Sequence, residues 1–428
     1  MAFYICSNCE YGSASWIGKC PNCGAWNTMA QRQEVAIKNK EGIKKITLTP
    51  LNKVKINKKE RMKTGIFEFD RVLGQGFVPG EVLLLTGEPG VGKSTLLLQA
   101  LQKLNTIYIS GEESPEQVKD RAERLNIGLE HFSFSNDLQV DGITDYIETA
   151  EEKPEILVID SIQTVYSKDV DSPPGSVNQL KECAAKLIDI AKRFHVTVIL
   201  IGHITKDGDI AGPKTLEHLV DCVLNFEGEQ VSNFRVLRSS KNRFGSTDEI
   251  GIFEMKEGGL REVTNPLVFL DNMNELVPGK SIVGVNEGKR QLFYEIQTLA
   301  VTTILSNPRR VVKGVDYNKV QLLLAVIKKH LSLQLDSYDI YVNVIGGVKI
   351  TSPLADLGII ASLYSSLKNI PISKKTVFIG EVGLLGEVRK GFQEEKIIHE
   401  SKRLGFNNIY SSKNIDSVKK IINIIVRG

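Results

Sequence analysis

Nine consecutive residues, Gly87-Glu88-Pro89-Gly90-Val91-Gly92-Lys93-Ser94-Thr95, carry a glycine, four residues and then Gly-Lys-Ser. A loop of this composition turns successive backbone N–H groups toward one anion, and a helix opening behind it adds its positive end. Gly90 and Gly92 let the backbone approach a phosphate with no side chain in the way. Lys93 is placed to reach the β- and γ-phosphates of ATP, Ser94 to put its hydroxyl on Mg²⁺, and Thr95 to support the start of the helix. Glycine-rich turns before helices also occur without any ligand. The full pattern between a strand and a helix favours nucleotide binding and hydrolysis, and leaves open what the energy drives.

The flanking elements must supply that setting. Glu81 to Thr86 reads as a strand entering the loop and Leu96 to Leu104 as the helix leaving it. Thr106 to Ser110 reads as the next strand, followed by the turn Gly111-Glu112-Glu113 and a helix from Pro115 to Leu125 with Ser114-Pro115 at its start. Ile156 to Asp160 is an apolar strand ending in a carboxylate beside Ser161, the Walker B pattern that holds Mg²⁺. Val196 to Ile201 is a further buried strand, ending in Gly202-His203. Short apolar runs alternating with amphipathic segments predict an α/β fold with a parallel sheet covered by helices. Ligands of such sheets lie at the carboxyl ends of the strands. One of Glu112 and Glu113 is therefore a candidate for the base that orients the attacking water, and His203 either caps its strand or senses the γ-phosphate. In Lys241-Asn242-Arg243-Phe244-Gly245, two cations and an aromatic share one tight turn. It is either a surface hairpin or a device delivering Lys241 or Arg243 to a phosphate, of DNA or of a nucleotide in a neighbouring subunit.

A second cluster of reactive residues lies at the N-terminus. Cys6-Ser-Asn-Cys9 and Cys20-Pro-Asn-Cys23 are two C-x-x-C pairs in a short polar segment. Each pair can face its thiolates on one point, and two pairs complete a tetrahedral Zn²⁺ site. Redox pairing is the competing reading; two knuckles in a segment too small for its own core favour a structural metal. Trp16 and Trp26 flank the knuckles and are expected to pack the ribbon, with base stacking as the alternative. Cys183 and Cys222 sit in apolar surroundings and read as core. From Gln31 to Lys63 the chain is polar and lysine-rich, a linker with a solvated basic face or a nucleic-acid contact.

The whole chain, 428 residues with a formal charge of +3, is too long for one core and nearly balanced in charge, so any basic surface must be local. It shows neither a membrane-length apolar run nor an export-signal pattern, and a cytoplasmic protein is the expectation.

Taken in order, the four-cysteine ribbon, GEPGVGKST, YISGEES, ILVIDSIQT, GHITKDGDIAGPKTLEHLVD and KNRFG resemble the bacterial RadA (Sms) family of DNA-recombination ATPases, whose core is similar to RecA. The resemblance covers nearly the whole chain. It implies a homo-oligomer in the form of a hexameric ring, binding to single-stranded and branched DNA, and ATP-driven branch migration alongside the RecA recombinase. It implies further that Glu112 is the catalytic glutamate, that His203 stands where RecA proteins carry a nucleotide-sensing glutamine, and that Lys241 and Arg243 couple ATP to DNA.

Around Pro266 to Pro278 the phosphate-site patterns stop. Strands are expected at Ser281 to Asn286, Leu292 to Val301, Tyr338 to Val344, Thr376 to Ile379 and Asn408 to Tyr410. Helices are expected at Asn318 to His330, Pro353 to Leu367, Glu394 to Leu404 and Asn414 to Val426, giving an α+β domain. The run from Gly380 to Val388 resembles the substrate-side turn of the Lon protease domain, which needs a serine nucleophile and a lysine. Asp356 falls at the serine position and Ile397 near the lysine position, with Ser352 and Lys396 as neighbours, so a Lon-like fold without peptidase activity is expected. The predicted layout is a zinc ribbon at 1–28, a basic linker at 29–55, a RecA-like P-loop ATPase domain at 56–270 and a Lon-protease-like domain at 271–428. A DNA motor accounts for all the motifs together. An ATP-dependent peptidase lacks its dyad, and a nucleotide-gated signalling ring leaves the ribbon and basic linker unexplained.

Overall fold

The structure, a computed structural model, describes residues 3–9, 11–32, 50, 52, 60–203, 212–228, 233–270 and 276–427. The chain divides into two compact units, Met1–Lys58 and Lys59–Gly428. Most of the basic linker lies outside the described residues.

In the first unit β1 (Phe3–Cys6) pairs antiparallel with β2 (Gly12–Ser13) and with β3 (Met29–Arg32). The ribbon thus runs to Arg32, past the boundary expected at 28, because Met29 to Arg32 pair in register with Cys6 to Phe3. Its buried residues are Cys6, Cys20 and Met29. Trp16 and Trp26 are 55% and 69% exposed, so the expectation that they pack the ribbon is corrected. A core of three buried side chains is filled without them; Trp16 is held at its edge, by its Nε1 donating to the Met29 carbonyl at 3.1 Å, and the Trp26 ring lies under the Lys19 ammonium at 5.5 Å.

The second unit opens with α1 (Phe67–Leu73). The phosphate-loop strand β4 (Val82–Gly87) and the helix α2 (Lys93–Leu101) follow. β5 (Thr106–Ser110) leads to α3 (Pro115–Arg124), which begins in a complete capping box on Ser114 and Gln117. After these come β6 (Phe132–Ser135), α4 (Val140–Thr149), β7 (Ile156–Asp160), α5 (Val177–Phe194) and β8 (Thr197–His203). α6 (Gly212–Leu216), β9 (Cys222–Glu227), β10 (Phe234–Asn242), β11 (Ile250–Lys256) and β12 (Gly259–Glu262) complete this part. One nine-stranded sheet results, in the order β12-β11-β10-β9-β4-β8-β7-β5-β6. From β9 to β6 all pairings are parallel, and β10, β11 and β12 extend the edge antiparallel. The central strands are continuous apolar runs, as burial on both faces requires, and two apolar layers cover the sheet. Cys183 and Cys222 are both buried in those layers, as expected.

The C-terminal part carries β13 (Lys280–Glu287), β14 (Arg290–Thr302), β15 (Arg310–Lys313), α7 (Tyr317–His330) and β16 (Tyr338–Val344). α8 (Asp356–Lys368), β17 (Thr376–Ile379), β18 (Glu381–Val382), β19 (Val388–Arg389), α9 (Glu394–Arg403), β20 (Asn408–Ser411) and α10 (Lys420–Arg427) follow. Its six-stranded sheet has the order β15-β16-β14-β13-β17-β20. Two expectations are corrected here. The last helix begins at Lys420, not Asn414, since residues 412–419 form two turns around a bridge of Ser417 to Glu387, and the short strand β15 was not foreseen. The expected junction near 270 also cuts through a shared core. Val236, Ile250, Ile252, Val263 and Phe269 pack in one cluster with the apolar residues of β13, β14, α7 and α8.

Candidate functional site

The loop from Gly87 to Gly92 leaves the carboxyl end of β4, and Gly90 (φ +76°) and Gly92 (φ +108°) hold left-handed backbone that a side chain would strain. Lys93, the first residue of α2, is buried with its amine folded back onto the loop. It donates to the carbonyls of Gly87 (2.9 Å) and Glu88 (3.1 Å) and lies 3.2 Å from His203 Nδ1. Burial depresses the Lys93 pKa, against the raising effect of Asp160 and Glu112. An ammonium has donors only, so Nδ1 of His203 is the acceptor in this contact, and Nε2 lies on the side of Glu112. That nitrogen stands 3.1 Å from Glu112 Oε1, without hydrogen-bond alignment.

Asp160 ends β7 and is buried beside the loop. Its Oδ2 accepts from Ser94 Oγ (2.9 Å) and from the Tyr108 hydroxyl (2.5 Å). Burial raises the Asp160 pKa while those two hydrogen bonds lower it. A serine hydroxyl and a carboxylate at this spacing are hard oxygen donors suited to Mg²⁺. Glu112 Oε1 accepts from Ser161 Oγ at 2.7 Å, and one ligand atom each from Glu112, Asp160 and His203 lie within 4.8 Å of one another. Glu113 is turned away onto Arg121 of α3. Between the two glutamates that the sequence offered, only Glu112 faces the phosphate loop's partners.

Lys241 and Arg243 do not join this cluster within the chain. β10 runs antiparallel to β9, Asn242 pairs with Cys222, and Cys222 pairs with Leu83 at the start of β4. Four residues of strand, roughly 13 Å, separate that level from Gly87. Lys241 donates to the carbonyls of Glu217 (2.8 Å) and His218 (3.1 Å), and Arg243 pairs with Asp221 at 3.2 Å. The buried Asp221 also accepts from Val82 N at 3.0 Å, so the turn is tied to the root of the phosphate-loop strand.

In the ribbon the Sγ atoms of Cys6 and Cys23 are 3.7 Å apart and those of Cys9 and Cys20 are 3.5 Å apart, and all six cysteines of the chain are free. A tetrahedral ion with metal–sulfur distances of about 2.3 Å sets its sulfurs about 3.8 Å apart, so the four thiols fit such a metal.

In the C-terminal part Asp356 is buried, accepts from Val382 N at 3.2 Å and pairs with Lys319 at 2.7 Å, and burial pushes its pKa up to about 6. Ile397 is core, the Ser352 hydroxyl accepts from Leu354 N, and Lys396 is exposed. The positions expected for a serine–lysine dyad hold neither partner.

Sequence reading missed Tyr108 and Arg235. Tyr108 sits mid-strand, 52 residues from Asp160, and Arg235, 144 residues from Val91, donates from Nε to the Val91 carbonyl at 3.0 Å. A tyrosine among the apolar residues of a buried strand was the one available sign, since a buried hydroxyl needs a partner.

Residues 64–209 match a family model described as an AAA domain, and residues 4–31 match a rubredoxin metal binding domain. Among solved structures the chain is similar to the RadB recombinase (25% identity, 47% of this chain and 98% of that chain, TM-score 0.39). It is also similar to a KaiC-like protein from Pyrococcus horikoshii (23% identity, 48% and 99%, TM-score 0.40). The DNA repair protein RadA of Bacillus subtilis is 44% identical over 99% of this chain and 95% of its own length. That of Listeria monocytogenes is 43% identical over 98% and 93%. Identity at this level spans nearly the whole of each chain, and the chain belongs to the DNA repair protein RadA family.

Proposed function

We propose that this protein is a DNA-dependent ATPase of recombination and repair, driving branch migration or strand unwinding on single-stranded and branched DNA together with a RecA recombinase. It works in the cytoplasm as a hexameric ring. The observation that carries the reading is the meeting of Lys93, Ser94, Asp160, Glu112 and His203 at the carboxyl edge of one parallel sheet. Binding falls to Gly87, Glu88, Pro89, Gly90, Val91, Gly92, Lys93, Ser94 and Thr95. Lys93 leaves its carbonyls for the β- and γ-phosphates. Ser94 and Asp160 would hold Mg²⁺, which supplies charge neutralisation at the phosphate oxygens. Glu112 accepts a proton from the attacking water, and His203, between Lys93 and Glu112, reads whether the terminal phosphate is present.

The turn from Lys241 to Gly245 acts toward a neighbouring subunit, which its place at the amino end of the parallel strands, away from its own phosphate loop, favours. Lys241 and Arg243 there meet a phosphate of DNA or of the neighbour's nucleotide, and Asp221 links that event back to β4. Cys6, Cys9, Cys20 and Cys23 would hold Zn²⁺, which would supply the cross-link that closes the ribbon. The C-terminal domain serves as a Lon-like scaffold without peptidase activity, since neither Asp356 nor Ile397 can act in a serine–lysine dyad.

The test is ATP turnover with and without single-stranded DNA over a salt series. DNA stimulation that weakens as salt rises, and its loss in Lys93→Ala, is the expected result. Turnover indifferent to DNA, or peptide cleavage in its place, overturns the reading.

A further inference from the structure

The phosphate loop is gripped from behind by a residue outside every motif. Arg235, near the start of β10, is 6% exposed, and its guanidinium crosses to the loop. Nε donates to the Val91 carbonyl at 3.0 Å and Nη1 to the carbonyl of Phe234 at 2.9 Å. The path is open because residue 228 is glycine, where a Cβ would lie 2.3 Å from Arg235 Cδ.

Peptide planarity gives this contact its consequence. In a trans peptide the C=O of one residue and the N–H of the next point in opposite directions. Drawing the Val91 carbonyl backward onto a cation therefore aims the Gly92 N–H forward, toward the anion the loop encloses, and polarises that donor. Gly92 has φ +108°, a conformation with little to fix it locally, so an external anchor matters more here than in a helix.

The residue beside Arg235 faces the other way. The ring of Phe234 meets that of Phe269 edge-on at 4.9 Å, and Phe269 stacks on Tyr294 of β14 at 4.8 Å. Gly346, in the C-terminal part, lets the chain lie against them, for a Cβ there would be 2.9 Å from Phe269 Cδ1. A cleft of about 440 Å³ lies alongside, lined by Gly87, Glu88 and Arg238 on one side and Gly347 and Lys349 on the other.

We propose that Arg235 is a positioning residue for the phosphate loop, orienting the Gly92 N–H, and that through Phe234 and Phe269 its grip depends on how the C-terminal domain is seated. The inference rests on the nucleotide-binding reading of the loop.

The experiment measures the Kd of a fluorescent ADP analogue and the KM for ATP in the full chain. Arg235→Met leaves the Val91 carbonyl buried without this donor, and both constants rise roughly tenfold, while Arg235→Lys recovers part of the loss. Gly228→Ala displaces the same guanidinium without removing it and gives a KM defect of the same kind, which serves if Arg235→Met does not fold. Phe269→Leu weakens the analogue a few-fold in the wild-type background and has no further effect in Arg235→Met. Unchanged Kd and KM in both Arg235→Met and Gly228→Ala overturn the positioning role, and additive effects of Arg235→Met and Phe269→Leu overturn the link to the C-terminal domain. Failure of the wild-type chain to bind the analogue sinks the nucleotide reading itself, a result distinct from either.

Discussion

Replacing Arg290 by Met tests how the C-terminal domain is fastened to the ATPase core. Glu68 of α1 is fully buried, and its Oε2 receives Arg290 Nη1 at 2.8 Å, Arg71 Nη2 at 2.7 Å and Ile252 N at 2.8 Å. Arg290 also donates to the Val263 carbonyl at 2.8 Å. Removing one partner of a buried pair costs about 3–5 kcal/mol, and because Arg71 remains, the lower figure, ~3 kcal/mol, is expected here. At roughly 2 °C per kcal/mol for a unit this large, the melting temperature falls by about 6 °C at pH 8. The loss depends on pH in a definite direction. Burial already raises the Glu68 pKa, with Arg290 its main opponent, so Arg290→Met raises it further. A carboxyl with a raised folded-state pKa favours folding fully below its unfolded value, about 4.3, and loses that contribution as pH rises through the folded value. The deficit against wild type is therefore largest at pH 8 and shrinks toward pH 5. Glu68→Gln combined with Arg290→Met removes the buried carboxylate left with Arg71 alone, while Arg71 keeps Glu249 at 3.8 Å, and recovers part of the loss. Calorimetric or circular-dichroism melts at both pH values decide the matter; a deficit equal at pH 5 and pH 8, or no deficit, refutes a charge-based clamp.

Three further outcomes are expected. Glu112→Gln keeps nucleotide affinity within about twofold and lowers kcat by roughly 10²–10⁴, read in a steady-state phosphate-release assay, because only proton acceptance is lost. Lys241→Ala leaves binding of a fluorescent nucleotide unchanged, since the turn lies at the opposite end of the strands from its own phosphate loop, and abolishes DNA-dependent turnover and branch migration. Thiol modification releases one zinc per chain, measured with a colorimetric chelator, and shifts the intrinsic emission on 295 nm excitation, since both tryptophans of the chain lie in the ribbon.

Much of the molecule was legible because its signals are local. The loop from Gly87 to Thr95, the strand Thr106–Ser110, the capped helix after Ser114, the carboxylate ending Ile156–Asp160 and the paired cysteines each need only a few consecutive residues to fix backbone conformation or ligand spacing. Local pattern also gave both Glu112 and Glu113, and nothing in it ranks them. Strand register did, by setting Glu112 against Ser161 and His203 while Arg121 took Glu113.

What tertiary structure alone decided are the contacts between residues far apart in the chain. The exposure of Trp16 and Trp26 follows from a ribbon core already filled by others, and the core shared across residue 270 follows from β10 and β11 packing with the C-terminal sheet. The placement of Lys241 and Arg243 away from their own phosphate loop follows from the antiparallel turn of β10. The RecA-like ATPase with its zinc ribbon was written in short motifs, because phosphate and metal impose spacing on neighbouring residues. The hold of Tyr108 on Asp160 and of Arg235 on Val91 was not, because a hydrogen bond across 52 or 144 residues exists only once the sheet has brought its strands together.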